Sequence, residues 1–367
     1  MNDRFLSPTE ALGQRRVDRI EKIRPKLRDL DVFIDNASTM DILLKSITHG
    51  KFEKLKSRSA FAPKENWLFA RDDSTDTYLC TDDGPDDLNP SKVYDALFYP
   101  ELHTGIVAWW LLHAWRFTDL AEEAIRSLTT WHITVSAVSS RALIEEVGCI
   151  LYESKKFSEN WKKSKSLPEP KRPLAVRELL HPVMVQSAFG SRGITDSTNL
   201  RPATNVQTYV DKLAKETGEP QFLKWYAWLS NSAHPAIGSR MAYASQPIVH
   251  TTGAVMRRRF SRRPTSINGR SEELDFLIAH QCADSTVAAV QVGLSLLSQA
   301  LEIVDDIGLT TGAATLTRHT YWRNLKPVRG NRQCPCGKGK WPACQHRWGG
   351  PTPAIAVEHL LESQSAT

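Results

Sequence analysis

The stretch 105-GIVAWWLLHAWRFTDLAEEAIRSL-128 and its continuation 131-WHITVSAVSSRALIEEVGCILY-152 decide the architecture. In the first, Ile106, Trp109, Trp110, Leu112, Ala114 and Phe117 recur at helical spacing. In the second, Val135, Val138, Leu143, Ile144, Val147 and Leu151 do the same. Apolar residues three and four positions apart line one side of a helix, and that side must be buried against a neighbour. Two long amphipathic helices in succession predict a helical bundle.

Helical patterning begins at about Pro90, where Ser91 can cap, and runs to about Glu153. Before it, Ser7-Pro8-Thr9-Glu10 is a capping-box pattern with proline at the first helical position. It predicts a helix to about Leu30, and a second helix is expected around Thr39–Ile47. Lys51–Arg58 is basic and polar, and Asp72–Asp87, rich in Asp, Thr and Gly, reads as a loop. Beyond the central stretch, Lys162–Pro173 reads as a Lys/Pro linker and Pro182–Thr204 as irregular. Helix resumes over Val206–Thr217 and Pro220–Ser245. Val255–Arg270 reads as a basic loop. Ser271–Ile307 is a long helix that can cap at Ser271, with Glu272 and Glu273 near its positive end.

No strand series, P-loop, glycine-rich dinucleotide fingerprint or fixed-period repeat stands out. The expected fold is mainly α, a helical bundle with a small C-terminal knuckle, in which Cys334, Cys336, Cys344 and His346 form a donor set for zinc and make it a zinc knuckle. The expected divisions are an N-terminal helical and loop region over 1–88, the bundle over 89–307, a basic linker over 308–326, the knuckle over 327–350 and a tail over 351–367.

The chain has 367 residues, 41% hydrophobic and 24% charged, which fits a soluble globular protein and argues against wholesale disorder. A net charge of +6 says little about partners until its distribution is known. The N-terminus lacks the apolar core of a secretory signal. The longest strongly apolar stretch, Ile106–Trp115, is far shorter than the ~20 residues of a membrane span. The run Val287–Val304 is interrupted by Gln291, Ser295, Ser298, Gln299 and Glu302. A cytoplasmic protein without a membrane partner is expected. Cys80, Cys149 and Cys282 are isolated, and the last two, in apolar surroundings, are expected to be buried thiols.

The other cysteines cluster in Cys334-Pro335-Cys336-Gly337-Lys338-Gly339-Lys340-Trp341-Pro342-Ala343-Cys344-Gln345-His346. Three thiolates and one imidazole are a common structural zinc set. Pro335 restricts the turn between the first two cysteines, and Gly337 and Gly339 let the backbone fold back around an ion. Cys334, Cys336, Cys344 and His346 are therefore the expected Zn²⁺ ligands, against the alternative of free thiols or a disulfide. Four filled positions point to a structural ion, with folding of the knuckle dependent on it.

This segment resembles the SEC-C motif, the zinc-binding tail of bacterial preprotein-translocase ATPases and of many unrelated bacterial proteins. The match includes Asn331, the Cys-Pro-Cys-Gly core, Gly339-Lys340, Trp341 and the closing Cys and His. The usual motif closes with adjacent ligands, whereas here Gln345 intervenes. The resemblance covers about twenty residues and implies docking to a protein partner. The surroundings suggest nucleic acid as another target. Gly308–Val357 holds no Asp or Glu and eight cations, Arg318, Arg323, Lys326, Arg329, Arg332, Lys338, Lys340 and Arg347. Trp322, Trp341 and Trp348 either stack on bases or cover the metal site.

In the bundle, Arg141 and Glu145 share a helix face. They are either a solvated ion pair or, if buried, part of a cluster that Tyr226 or His234 from a facing helix would complete. Ser139–Glu145 and Tyr226–Pro235 resemble a family of uncharacterised bacterial helical proteins distantly related to HEPN-type bundles. HEPN ribonucleases use an Arg and a His with four to six residues between them on one helix. Here Arg177 and His181 have only three residues between them, and His234 and Arg240 occur in reversed order, so that signature is missing in its usual form. Arg257, Arg258, Arg259, Arg262 and Arg263 flank Phe260 in an arginine-rich run that is either solvated or contacts phosphates.

The function expected is that of a non-catalytic, zinc-stabilised bacterial protein. It would bind RNA, a ribonucleoprotein or a protein partner through its basic C-terminal module, with Lys338, Lys340 and Trp341 in contact. The company such modules keep points to defence or stress response. The alternatives are a HEPN-like ribonuclease or toxin using Arg141, Glu145 and His234, and a chaperone-docking adaptor.

Overall fold

The computed structural model describes residues 4–34, 40–42, 45–50, 53, 70–72, 77–80, 99–167, 171–191, 201–234, 250–252, 255–257, 262–263, 265–266, 276–311 and 317–319. Among these the chain is mainly α. The helices are α1 (Pro8–Leu12), α2 (Gln14–Ile34), α3 (Tyr99–Thr129), α4 (Ile133–Lys165), α5 (Lys171–Phe189), α6 (Val206–Thr217), α7 (Gln221–Ala233) and α8 (Leu277–Thr311). The strands are two to four residues long: β1 (Arg4–Phe5), β2 (Met40–Ile42), β3 (Lys45–Thr48), β4 (Ala70–Asp72), β5 (Thr77–Cys80), β6 (Gly190–Ser191), β7 (Arg201–Pro202), β8 (His250–Thr252), β9 (Val255–Arg257), β10 (Thr265–Ser266) and β11 (Thr317–His319).

The chain divides into two compact units. One comprises Met1–Val32, His113–Tyr152 and Asn205–Leu297, and the other comprises Phe33–Leu112, Glu153–Thr204 and Ser298–Thr367. Helices α3 and α4 run without a break through both.

In the first unit the capping box forms as the sequence predicts. Ser7 Oγ accepts from Glu10 N at 3.3 Å, and Ser7 N donates to Glu10 Oε2 at 3.0 Å, with Pro8 next. The expected single N-terminal helix is interrupted at Gly13, whose φ of 82° an L side chain rarely adopts. Beyond it, Ile20, Ile23, Leu27 and Leu30 of α2 are buried. Arg16 and Arg19 share Asp284 of α8, at 3.0 and 3.1 Å. Phe117 of α3 is fully buried and lies so close to α8 that a Cβ on Gly293 would fall 2.2 Å from its Cε2. Burying one such phenyl ring contributes ~1.5–3 kcal/mol.

The α3–α4 turn is a Schellman closure. His132 N donates to Ser127 O at 2.7 Å and Trp131 N to Leu128 O at 3.2 Å. Trp131 occupies the left-handed position, at φ 62°, that glycine usually fills. Its buried indole offsets the ~1–2 kcal/mol this conformation costs. From this turn the helices run antiparallel, Ser136 Oγ donating to Ala124 O at 2.9 Å. Two short antiparallel ladders complete the unit, β1 with β10 (Arg4 opposite Ser266) and β8 with β9 (His250 opposite Arg257).

The second unit is built on aromatic anchors. Trp109 meets Phe157 edge to face at 4.7 Å, and Phe33 meets Trp110 at 6.2 Å. Trp161 Nε1 donates to Asp306 Oδ2 at 2.7 Å, and Lys165 Nζ binds the same carboxylate. Asn160 Nδ2 donates to Leu179 O at 2.8 Å. Its ladders are β2 with β11, the antiparallel sheet β3–β5–β4, and the parallel pair β6–β7.

Several expectations are corrected. The helix expected over Thr39–Ile47 is replaced by β2 and β3. The β-branched Ile47 and Thr48 pair with Tyr78 and Thr77 of β5, in the segment expected to be a loop. Helix α5 occupies residues expected to be linker and irregular chain, with Pro182 inside it. Helix α7 stops at Ala233 instead of reaching Ser245. His234 precedes a proline and is extended at φ −94°, ψ 158°, as the clash with a proline ring demands. The proposed caps at Ser91 and Ser271 lie outside the described residues. So does the knuckle. Within α8, Leu277–Val304 is long and apolar enough to cross a membrane by length and composition, and more than half of that window is buried inside the protein.

Candidate functional site

Arg141, Glu145 and Tyr226 form one cluster in the first unit. Arg141 and Glu145 lie one turn apart on α4, with Arg141 Nη2 and Glu145 Oε1 at 3.0 Å and side chains 26% and 21% exposed. Tyr226 comes from α7. Its hydroxyl accepts from Arg141 Nη2 at 3.1 Å and donates to Glu145 Oε1 at 3.1 Å, while the guanidinium carbon sits 5.2 Å from the ring centroid. The two charges cancel, and the phenol oxygen is used as both donor and acceptor. Arg141 Nε is buried with no hydrogen-bond partner among the described residues. That group carries a desolvation cost of ~1–3 kcal/mol.

His234 stands apart from this arrangement. It is the exposed C-cap of α7, where its backbone N–H reaches Ser230 O at 3.2 Å. No hydrogen bond or ion pair of its ring occurs among the described residues. Of the three candidates for catalysis, the structure therefore joins Arg141 and Glu145 and does not bring His234 to them.

A second polar cluster, which the sequence reading did not single out, lies between α3 and α4. His113 Nδ1 is 2.5 Å from Glu146 Oε1, with side chains only 12% and 6% exposed. Arg116 Nε donates to Glu146 Oε2 at 2.8 Å. A buried carboxylate is costly without such partners, and here a ring N–H and a guanidinium supply them. Cys149 follows Glu146 by three residues on α4, and Glu153 follows Cys149 by four, so these side chains share one helix side.

The ligand atoms of His113, Cys149 and Glu153 all lie within 4.8 Å of one another, and the group can hold a metal ion. In the second unit, Trp109 Nε1 and Ser187 Oγ each donate to Glu153 Oε2 at 2.7 Å. A pairing His-x-x-Arg with Glu-x-x-Cys-x-x-x-Glu was the available sequence signal. It becomes meaningful only when the helices are known to be antiparallel neighbours.

Cys149 is half-buried, whereas Cys282 of α8 is fully buried as expected. Burial pushes the Cys282 thiol up from 9.0 to about 12, against hydrogen bonds with Ser136 and Ser140 that pull it down. Such a thiol is un-ionised and inert at neutral pH. Burial, followed by the charges of Asp31 and Asp119, also raises the carboxyl of Glu122 above its ordinary range.

Of the expected binding residues, Arg262 and Arg263 are exposed and Arg257 lies in β9. Arg258, Arg259, Lys338, Lys340 and Trp341 lie outside the described residues, as do the expected zinc ligands Cys334, Cys336, Cys344 and His346. No family model, curated protein or solved structure matches this chain.

Proposed function

We propose that this chain is a non-catalytic binding protein of the bacterial cytoplasm. Its helical body carries a zinc-stabilised basic module that binds RNA or a ribonucleoprotein. The observation that carries the reading is the union, in one acid-free segment from Gly308 to Val357, of eight cations with a Cys-x-Cys and Cys-x-His set. A polyanion is the partner that such a segment attracts through counterion release. The SEC-C resemblance supports the zinc and a role in docking.

In the helical body, Arg141, Glu145 and His234, the residues of the nuclease alternative, do not meet as one set among the described residues. Arg141 Nη2, Glu145 Oε1 and the Tyr226 hydroxyl bond to one another, and the His234 ring makes no hydrogen bond or ion pair among the described residues. The exposed Arg262 and Arg263 add to the basic surface.

The test is fluorescence anisotropy of a labelled single-stranded RNA at several salt concentrations. Affinity should fall steeply with salt. Replacing Arg257, Arg258, Arg259, Arg262 and Arg263 with Gln should flatten the slope by about 0.7 for each phosphate that is no longer neutralised. Cys334→Ser should weaken binding, and the RNA should stay intact. Salt-independent or absent binding would overturn the reading. Cleavage abolished by His234→Ala would replace it with the nuclease, and a protein partner that dissociates on deleting Cys334–His346, without RNA affinity, would replace it with the adaptor.

A further inference from the structure

We propose that the α3–α4 helix pair carries a second metal site, in which His113, Cys149 and Glu153 bind a divalent cation of the zinc class. The proposal is independent of the C-terminal knuckle and uses none of its residues. One imidazole, one thiolate and one carboxylate are a donor set for zinc and its borderline neighbours, rather than for the oxygen-seeking calcium or magnesium.

The placement of each donor follows from the helices. Cys149 and Glu153 are one turn apart on α4 and face the same way. His113 comes from α3, whose antiparallel course is fixed by the tight Trp131 turn. In a tetrahedral site with metal–ligand bonds of ~2.0–2.3 Å, ligand atoms stand ~3.3–3.8 Å apart. The three ligand atoms here lie within 4.8 Å of one another. The longest of these separations thus exceeds the bound geometry by no more than about 1 Å.

The surroundings are those of a supported site. Metal-binding histidines usually have their other ring nitrogen held by a carboxylate, which fixes the tautomer and the ring plane. Glu146 does this at His113 Nδ1, at 2.5 Å, which assigns Nε2 to the ion. Arg116 in turn holds Glu146. Trp109 and Ser187 both grip Glu153 Oε2, which assigns Oε1 to the ion.

Binding converts the Cys149 thiol to a metal thiolate and releases its proton to solvent, so charge and atoms balance with no further reactant. Three protein ligands leave the fourth tetrahedral position for an exogenous ligand. That sets this site apart from the closed four-ligand knuckle.

The test is cobalt titration of the metal-free full-length chain, read by absorption, alongside zinc stoichiometry by elemental analysis. A knuckle-null chain (Cys334→Ser, Cys336→Ser, Cys344→Ser and His346→Ala) should still take up one equivalent of cobalt. Its thiolate-to-cobalt band should be about a third as intense as the knuckle's, one sulfur against three. Adding Cys149→Ser should abolish that band. Adding Glu153→Gln, which keeps an acceptor for Trp109 and Ser187, should weaken binding by at least about tenfold. Should Cys149→Ser lose its helical circular dichroism, Cys149→Ala and His113→Gln serve in its place.

A knuckle-null chain that takes up no cobalt overturns the proposal, and so does a band that survives replacement of Cys149. Failure of the knuckle reading looks different. There the wild-type and knuckle-null chains would bind the same single equivalent, and Cys149→Ser would still remove it.

Discussion

Replacing Tyr226 with phenylalanine removes one oxygen and leaves the ring beneath Arg141. That oxygen accepts from Arg141 Nη2 and donates to Glu145 Oε1, each at 3.1 Å. Hydrogen bonds to charged groups contribute ~1.5–3 kcal/mol each when their partners are left unsatisfied. Here the loss is smaller than two full bonds. Arg141 and Glu145 keep their own pairing at 3.0 Å, and their side chains remain about a quarter exposed to water. A net cost of about 2 kcal/mol is expected, which is a factor of roughly 30 in the opening equilibrium.

Hydrogen exchange of the α7 amides is the suitable assay, because it reads local opening without requiring a two-unit chain to unfold in one step. Amides around Tyr226 should exchange roughly 30-fold faster in Tyr226→Phe than in wild type. In the Glu145→Gln background the same substitution should cost less, with a coupling of about 1 kcal/mol between the two sites. Unchanged exchange in Tyr226→Phe, or strict additivity with Glu145→Gln, would refute the view that these three side chains act as one closed unit.

Two further outcomes follow from packing and ionisation. Gly293→Ala places a methyl 2.2 Å from Phe117 Cε2. Overpacking of ~1–3 kcal/mol should outweigh the ~1 kcal/mol gained in helix propensity. Urea denaturation should show a lower midpoint, recovered by adding Phe117→Leu, and a midpoint above wild type would contradict the close packing. Burial holds the Cys282 thiol at about 12 in the native state, against 9.0 when exposed. The folded pKa of this acid is raised, so the native state keeps a proton that the unfolded chain loses. Stability from this group is therefore lost as pH rises above the unfolded value, at ~1.4 kcal/mol per unit. The drop in unfolding free energy between about pH 8.5 and about pH 10.5 should shrink by about 2 kcal/mol in Cys282→Ala, and an equal drop would remove the argument.

The helices of this chain were legible wherever periodicity was strong and punctuation was clean. Ile106 to Phe117 and Val135 to Leu151 are helical as their spacing demands, and Val206–Thr217 has the predicted bounds. The errors have local causes. Pro182 made a helix look irregular, although it stays within α5. Pro235 is the stop signal for α7, because the residue before a proline is held out of helical geometry. Residues 40–42 and 45–48 are strand because β11 and β5 offer partners from farther along the chain, which a local window does not contain.

Of the candidate site, the Arg141–Glu145 pair is legible in its i, i+4 spacing, and of the two partners expected from a facing helix, Tyr226 and His234, Tyr226 joins it among the described residues. Residues His113 and Cys149 carried no such signal. Each looks ordinary in its own helix, and their chemistry arises from the pairing of α3 with α4.

The left-handed Trp131 also fixes a phase relation. Because α3 and α4 meet through so short a turn, inserting a single residue there would rotate every later side chain of α4 by about 100°. Glu146 would swing off His113, and Cys149 would leave the shared side of the pair. The indole is thus a gauge block. Its size and burial hold the loop length constant, and with it the angular register on which all chemistry between α3 and α4 depends.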